Sequence, residues 1–322
     1  MSSLIEQAAQ RLEQLRRAGI DVPETGEQAV LADPTPAAPA PASKRAPAAS
    51  AAALSNPMSR RVELDLAALA AAGVLTPDAP RAALADQFRV IKRPLISNAV
   101  GKGAATLTHG NLIMVTSALA GEGKTFMSVN LAMSIAAELD HTVVLVDADV
   151  ARPSVLRMLG LPPGPGLLEM LEGKADMSSV LLKTNVDKLS ILPSGAPHAK
   201  ATELLASDAM SRLLEDMATR YADRIIIFDS PPLLLTTESR VLATHMGQIV
   251  MVVQAGRTQQ SEVRHALSTI EACPVRLMVL NKARTDGPGA YGYGYGYGAY
   301  GYGYGHGPEA DAAAQQAHAA SP

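Results

Sequence analysis

The sequence has few of the residues that build disulfide-bonded, membrane-spanning or nucleic-acid-binding proteins. It contains one cysteine, no tryptophan and three phenylalanines in 322 residues. The single Cys273 excludes an intramolecular disulfide framework and favours a reducing cytoplasm, where we expect it to be a plain buried thiol. No apolar run approaches the roughly 20 residues that span a bilayer, and the N-terminus lacks the apolar core of a secretion signal. The formal net charge of -3 predicts no attraction to nucleic acid, so a soluble, cytoplasmic protein is expected.

The aromatic residues that are present lie mostly in one stretch near the C-terminus. Alternating glycine makes this stretch costly to order, which favours a flexible segment. Composition alone leaves three interpretations open: low-complexity filler, an adhesive edge with its phenols on one face, or a display of phenolic hydroxyls for an enzyme. Seven of the eight tyrosines belong to the repeat YGYGYGYGAYGYGYG, namely Tyr291, Tyr293, Tyr295, Tyr297, Tyr300, Tyr302 and Tyr304.

Four zones follow one another along the chain. Residues 1–20 contain a predicted amphipathic helix over 3–18, and residues 21–58 form a Pro/Ala-rich linker that cannot build a core. Residues 59–285 alternate continuous apolar runs with helical stretches, which predicts an α/β domain with a mainly parallel sheet buried between helices on both faces. Residues 286–322 form the flexible Gly/Tyr-rich tail.

A phosphate-binding loop is predicted in the globular zone. The stretch VTSALAGEGKTFMSVNLA begins as a strand, turns through glycines and enters a helix. Gly121 and Gly123 allow backbone N–H groups to close around phosphate oxygens, and the new helix directs its positive end at them. Lys124 can reach the β- and γ-phosphates and Thr125 can ligate Mg²⁺. We therefore expect a nucleotide site.

Two further motifs place carboxylates at the ends of apolar runs. VVLVDADVARP carries Asp147 and Asp149, and RIIIFDSPP carries Asp229. At the carboxyl end of a strand such groups can hold Mg²⁺ through water or accept a proton from an attacking hydroxyl. A turn with solvated acids would explain an isolated DAD, but its place after a phosphate loop favours catalysis. The candidate catalytic residues are Lys124, Asp147, Asp149 and Asp229, and the Mg²⁺ ligands, partly through water, are Thr125, Asp147 and Asp229.

In this order the motifs resemble those of the bacterial tyrosine kinases (BY-kinases), which are P-loop proteins with a MinD-like fold. The resemblance covers roughly residues 80–305, including the segment LPSGAPHAKATELLAS and the tyrosine cluster. It implies that GEGKT is a Walker A motif that binds ATP, that VVLVDADVARP is a Walker A′ motif serving Mg²⁺ and hydroxyl activation, and that IIIFDSPP is Walker B. It also implies that the seven tail tyrosines are phosphorylated. SPPLLLTTESRVLATHMGQIVMVVQAGRT and the tail are similar to the autokinases of exosortase-linked exopolysaccharide loci.

The resemblance also implies further site residues and an oligomer. Arg152, which remains of an arginine pair, either contacts phosphate or pairs with an acid. A Glu-x-x-Arg-x-x-Arg oligomerisation motif corresponds here to Asp86, Arg89 and Lys92, where lysine lacks the bidentate fork of arginine. Without the resemblance these three form a solvated helix face; with it, a homo-oligomeric ring is expected. The full nucleotide-binding set is Gly121, Glu122, Gly123, Lys124, Thr125, Phe126, Asn281 and Arg152.

The implied function is tyrosine autophosphorylation between subunits, which regulates the synthesis, chain length or export of an exopolysaccharide. The implied partners are a tyrosine phosphatase and a membrane-embedded chain-length regulator that would hold the protein peripherally at the inner membrane. The helix at 3–18 either docks to that regulator or folds back on the kinase. One alternative is a MinD/ParA-like positioning ATPase, although Leu119 occupies the place of its signature lysine. Another is a non-catalytic adaptor that uses ATP only for assembly.

Overall fold

The computed structural model describes residues 60–77, 83–103, 107–221 and 223–283. The helix expected at 3–18, the Pro/Ala-rich linker and the tyrosine tail lie outside the described residues.

A seven-stranded sheet lies at the centre of the domain, in the order β3-β4-β2-β5-β1-β6-β7. Every neighbouring pair is parallel except β3 with β4. The predicted mainly parallel sheet is thereby confirmed. The strands are β1 (Leu112–Ser117), β2 (Thr142–Asp147), β3 (Leu182–Lys183), β4 (Leu189–Leu192), β5 (Arg224–Asp229), β6 (Gln248–Gln254) and β7 (Val275–Asn281).

Helices cover both faces of the sheet, as predicted. One buried apolar cluster lies between the sheet and α1 to α4, and a second lies between the sheet and α5 to α10. The helices are α1 (Leu66–Ala71), α2 (Ala83–Ala99), α3 (Lys124–Ala136), α4 (Val155–Met158), α5 (Leu167–Leu171), α6 (Met177–Val180), α7 (Ala201–Leu205), α8 (Asp208–Arg220), α9 (Glu238–Ala243) and α10 (Gln260–Ser268).

The position of a strand in the sheet decides whether its apolar run is buried on both faces. In β1 every residue is buried, because Met114 packs into one cluster while Ile113 and Val115 pack into the other. The same expectation is wrong for β7, where burial alternates along the strand and Met278 and Leu280 are 60% and 64% exposed. β7 is the last strand of the sheet, and one of its faces has no described helix over it.

The structure also departs from the expected solvated face of α2. Asp86 and Arg89 form an exposed ion pair, but Lys92 is only 5% exposed. The ammonium of Lys92 donates to the carbonyl of Ser134 and contacts a carboxylate oxygen of Glu138, both at 2.6 Å. The side chain therefore fastens α2 to the C-terminal end of α3 inside one protomer, and does not lie on a free charged surface.

Candidate nucleotide and magnesium site

The glycines of the phosphate loop hold backbone conformations that other residues rarely adopt. The loop connects β1 to α3, and Gly121 and Gly123 have φ angles of 83° and 100°. Gly123 caps α3, and a Cβ atom added to it would lie 2.2 Å from the side-chain nitrogen of Asn281. A side chain at Gly123 would therefore strain the backbone and collide with β7, so the loop requires glycine there.

Neighbouring strand ends brace this loop from behind. Glu122 is 2% exposed, and its carboxylate accepts hydrogen bonds from the backbone N–H of Leu119 at 2.7 Å and of Gln254 at 3.2 Å. The Thr258 hydroxyl donates to the same carboxylate. Glu122 is a predicted nucleotide-binding residue, and its carboxylate bonds to protein groups and joins the loop to the end of β6.

The end of β7 provides a second brace. Asn281 donates from its side-chain amide to the carbonyl of Glu122 at 2.8 Å. The ammonium of Lys282 donates to the carbonyl of Gly121 at 2.7 Å. Asn281, a predicted nucleotide-binding residue, thus lies directly against the phosphate loop. The two contacts hold the loop carbonyls on the β7 side.

Two aspartates from neighbouring strands meet beside this loop. Asp147 ends β2, Asp229 ends β5, and the two are paired in register across the strands, which run about 4.8 Å apart. Asp147 accepts two hydrogen bonds on Oδ2, from the backbone N–H of Ser154 at 3.0 Å and of Val155 at 2.9 Å. Asp229 accepts one on Oδ1 from the Ser128 hydroxyl at 3.0 Å.

Each of these carboxylates has a second oxygen that could bind a cation. Oδ1 of Asp147 and Oδ2 of Asp229 are buried and have no hydrogen-bond partner among the described residues. Burial, with a like-charge contribution from Asp229, raises the pKa of Asp147 to about 7. Burial raises the pKa of Asp229 to about 6, against the opposing effect of the Lys124 ammonium. Since Mg²⁺ is commonly held by one or two carboxylates together with phosphate oxygens, the residues present fit that ion.

The third aspartate, Asp149, forms an ion pair with Lys124 of the phosphate loop. Asp149 is 3% exposed, and its Oδ2 accepts a hydrogen bond from the Lys124 ammonium at 2.6 Å. Its Oδ1 accepts from the backbone N–H of Arg152 at 3.1 Å. Lys124 therefore has an internal anionic partner at the start of α3, where the N-terminal end of the helix also favours a phosphate.

The other predicted site residues differ in how far their side chains are exposed to solvent. Thr125 is buried at the first turn of α3 beside Asp229, and Phe126 is half-buried. The Arg152 side chain is exposed and forms no ion pair with another described residue, so neither of its two interpretations is decided. The seven tail tyrosines lie outside the described residues.

Three residues that contact the site were not predicted from the sequence. Ser128, which binds Asp229, lies one helical turn after Lys124, so the period of α3 could have indicated it. Lys282 and Thr258 bind the phosphate loop from distant parts of the chain, and no local pattern signals either contact. In the ranges that the structure describes, no helix is long and apolar enough to cross a membrane.

Comparisons with known proteins identify the family of the chain. A model of the ParA family, described as an NUBPL iron-transfer P-loop NTPase, matches residues 108–280. The chain is 32% identical over 188 residues to the tyrosine-protein kinase CpsD of Streptococcus agalactiae, covering 57% of this chain and 80% of that protein. The solved VpsO kinase domain is 29% identical with a TM-score of 0.51, covering 63% of this chain and all of that one.

Two longer relatives match over a part of their length. The tyrosine-protein kinase Ptk of Acinetobacter johnsonii is 34% identical over 58% of this chain, and the succinoglycan biosynthesis transport protein ExoP of Rhizobium meliloti (strain 1021) is 32% identical over 66%. The chain spans about a quarter of each, 25% and 27%. With the CpsD match covering most of that kinase, the chain belongs to the ParA-type P-loop NTPases and, among them, to the bacterial tyrosine-protein kinases.

Proposed function

We propose that this protein is an ATP- and Mg²⁺-dependent autokinase that phosphorylates the tyrosines of its own C-terminal tail. One observation carries the proposal: two neighbouring buried carboxylates, each with an oxygen that has no hydrogen-bond partner among the described residues, lie beside a phosphate loop in a chain with seven closely spaced tyrosines near its C-terminus. A positioning ATPase of the same fold has no need of such a tail, and neither does an adaptor.

Each residue has a distinct task in the proposed reaction. The N–H groups of the glycine loop and the Lys124 ammonium bind the phosphates and stabilise the charge that develops as the γ-phosphoryl group moves. Thr125, Asp147 and Asp229 would hold Mg²⁺, partly through water, and the ion would screen the repulsion between the phosphates and the incoming oxygen. A carboxylate of the DAD motif, Asp147 or Asp149, accepts the proton of the tyrosine hydroxyl as its oxygen bonds to phosphorus and ADP leaves.

The test is loss of phosphotyrosine with retention of the fold. Lys124→Ala and Asp147→Ala proteins, produced in cells without other tyrosine kinases, should react with anti-phosphotyrosine antibody at background level. Their melting transitions should stay cooperative. Full phosphorylation of the Lys124→Ala protein would show that the assigned site is wrong.

We also propose that phosphate passes between subunits of a ring. The tail begins just after Lys282, which bonds to the phosphate loop, so every tail originates beside an active site. A flexible coil of the roughly 20 residues from Arg284 to Gly305 would span about 25 Å, which is enough to reach a neighbouring protomer. A Lys124→Ala chain with its tail, mixed with an active chain truncated after Arg284, should then become phosphorylated. Transfer within one chain predicts no phosphate on it, while the truncated chain remains active on an added tyrosine peptide.

The relatives suggest where this activity is used. The name of ExoP ties that protein to succinoglycan biosynthesis and transport. We propose that this chain regulates the synthesis, chain length or export of an exopolysaccharide, works with a membrane-embedded regulator and a tyrosine phosphatase, and lies at the inner membrane through that regulator. Deleting residues 1–20 should then release the protein from the membrane fraction of its native cell. Unchanged fractionation would count against docking through this segment.

A further inference from the structure

β7 has an apolar face that no described residue covers. Met278 and Leu280 are 60% and 64% exposed, although each is paired in register with a β6 residue that belongs to or packs against the second core cluster, Met251 and Val253. On the opposite face of the same strand, the intervening residues pack against the first cluster. The strand is therefore packed against the core on one face. The other face, with Met278 and Leu280, is covered by no described residue and is called the bare face.

The outer edge of β7 is open as well. Among the described strands it pairs with β6 alone, so its other side presents backbone N–H and C=O groups along seven residues. Proteins normally protect such an edge with charges, prolines or bulges, since a long apolar edge strand attracts other strands. Here the only charged residue of the strand is Arg276. The edge is suited to receive one more strand.

The sequence that follows β7 has the pattern of a turn and then a strand. Lys282 has a φ angle of 57°, and its N–H donates to the Asn281 side chain at 2.9 Å, so the chain turns as it leaves β7. The next residues, ARTDGPGA, contain the turn-forming pairs Asp-Gly and Pro-Gly. Residues 291–297 then alternate tyrosine and glycine for seven residues, the length of β7. After that block, Ala299 shifts the phase of the alternation.

We propose that residues 291–297 fold back as an antiparallel strand on the open edge of β7, with their four tyrosines over Met278 and Leu280. Side chains alternate between faces with a period of two, so a single register places every tyrosine of this block on the bare face. The glycines then face the other side. Tyr300, Tyr302 and Tyr304 are out of phase and stay undocked. Glycine makes the added strand weak, and its docking is therefore readily reversible.

The occupant is the tail of the same chain and not a second copy. A segment joined to β7 by nine residues is present at an effective concentration on the order of millimolar, whereas a second copy competes at its bulk concentration. The β-strand addition uses main-chain hydrogen bonds for affinity and the exposed side chains for register. Self-docking also covers the apolar edge of β7 and leaves a glycine-rich strand as the new edge.

One consequence rests on the proposed function, while the docking itself does not. A phosphotyrosine carries about -1.5 to -2 charges near neutral pH and cannot remain against two apolar side chains without losing its hydration. The kinase should therefore phosphorylate Tyr300, Tyr302 and Tyr304 first, and modification of the docked block should release it. The docked strand thus sets the order in which the tyrosines are used.

Chymotrypsin tests the docking site by site, because it cleaves after tyrosine and requires an undocked backbone. The phosphatase-treated full chain, without nucleotide, is digested over time and cleavage after each tail tyrosine is followed by mass spectrometry. A synthetic peptide of residues 284–322 gives the intrinsic rates. We expect cleavage within 291–297 to be at least about tenfold slower in the protein than in the peptide, and cleavage at Tyr300, Tyr302 and Tyr304 to be nearly equal in both.

Matched variants locate the surface. Met278→Glu with Leu280→Glu should remove the protection, while Val90→Glu with Leu139→Glu, which changes two even more exposed apolar residues elsewhere, should keep it. Equal protection of the two tyrosine blocks overturns the proposal, and so does protection that survives Met278→Glu with Leu280→Glu. Protection that rises with protein concentration identifies a second copy as the occupant and also overturns it. The digestion uses no ATP, so a failed autokinase assay leaves this result standing.

Discussion

Two regions of this molecule bury charged groups, and they treat them in opposite ways. Near the C-terminal end of α3, Lys92 is buried with its ammonium bonded to the Ser134 carbonyl and to Glu138. The hydrogen bond from Lys92 holds the pKa of Glu138 below its ordinary value. At the phosphate loop, Asp147 and Asp229 are buried with raised pKa values, and one oxygen of each has no hydrogen-bond partner in the part of the chain that the structure describes.

The difference separates support from function. A buried charge whose hydrogen bonds are complete stabilises one arrangement of helices. Removing it leaves its partners buried without a hydrogen bond, which lowers the stability of the folded protein. Buried carboxylates with incomplete hydrogen bonds destabilise the protein until a cation arrives. The first arrangement should matter for folding and the second for ligand binding, and the predictions below separate these effects.

The largest effect is expected at Asp229. Asp229→Asn removes one of two adjacent buried negative charges, so the metal-free protein should become more stable while autophosphorylation falls by about 10²-fold or more. Thermal unfolding without Mg²⁺ and phosphotyrosine formation with ATP measure the two sides. Asp223→Asn changes an exposed aspartate at the other end of β5 and should alter neither quantity. A less stable Asp229→Asn protein would contradict the idea that this charge is held for a ligand.

A smaller and purely structural effect is expected at Lys92. Lys92→Met should lower the free energy of unfolding by about 1–3 kcal/mol, because the carbonyl of Ser134 loses its partner, and should leave nucleotide affinity unchanged. Lys188 is the matched control. Like Lys92 it donates from its ammonium to backbone carbonyls, in this case those of Glu138 and Leu139 just after α3, but its side chain is exposed. Lys188→Met should cost below about 1 kcal/mol. Equal losses in urea denaturation would show that burial does not distinguish the two lysines.

A third difference between the two regions is a pH dependence that Mg²⁺ should reverse. The folded-state pKa values of Asp147, about 7, and Asp229, about 6, lie above the ordinary 3.8, so the folded protein binds more protons than the unfolded chain. The stability contributed by these protonated carboxyls is present below pH 4 and is lost as the pH rises through 6 and 7. Melting temperatures of the metal-free protein should fall across that window. With Mg²⁺ and a non-hydrolysable ATP analogue, which bind the ionised carboxylates, the fall should diminish or invert, and parallel curves would argue against a metal role.

The sequence predicted the site better than its surroundings, for a physical reason. A phosphate loop and two strand-ending acids are local patterns, and a parallel sheet brings the carboxyl ends of its strands to one edge. The structure accordingly assembles Lys124 with Asp147, Asp149 and Asp229. The burial of Lys92 depends on which face of α2 meets the end of α3, and the bare face of β7 depends on strand order. Neither follows from a local pattern, and the same holds for the reach of Lys282 to the phosphate loop.

The contact between Lys124 and Asp149 implies an order of events in the reaction cycle. While the ammonium holds this carboxylate at 2.6 Å, the oxygen involved is not available to a tyrosine hydroxyl. A γ-phosphate that binds Lys124 competes for the same donor and frees that oxygen. Where Asp149 rather than Asp147 accepts the tyrosine proton, the nucleotide should therefore enter before the tyrosine is engaged, so that the enzyme follows ordered addition. A tail that visits an empty site would find its acceptor still locked.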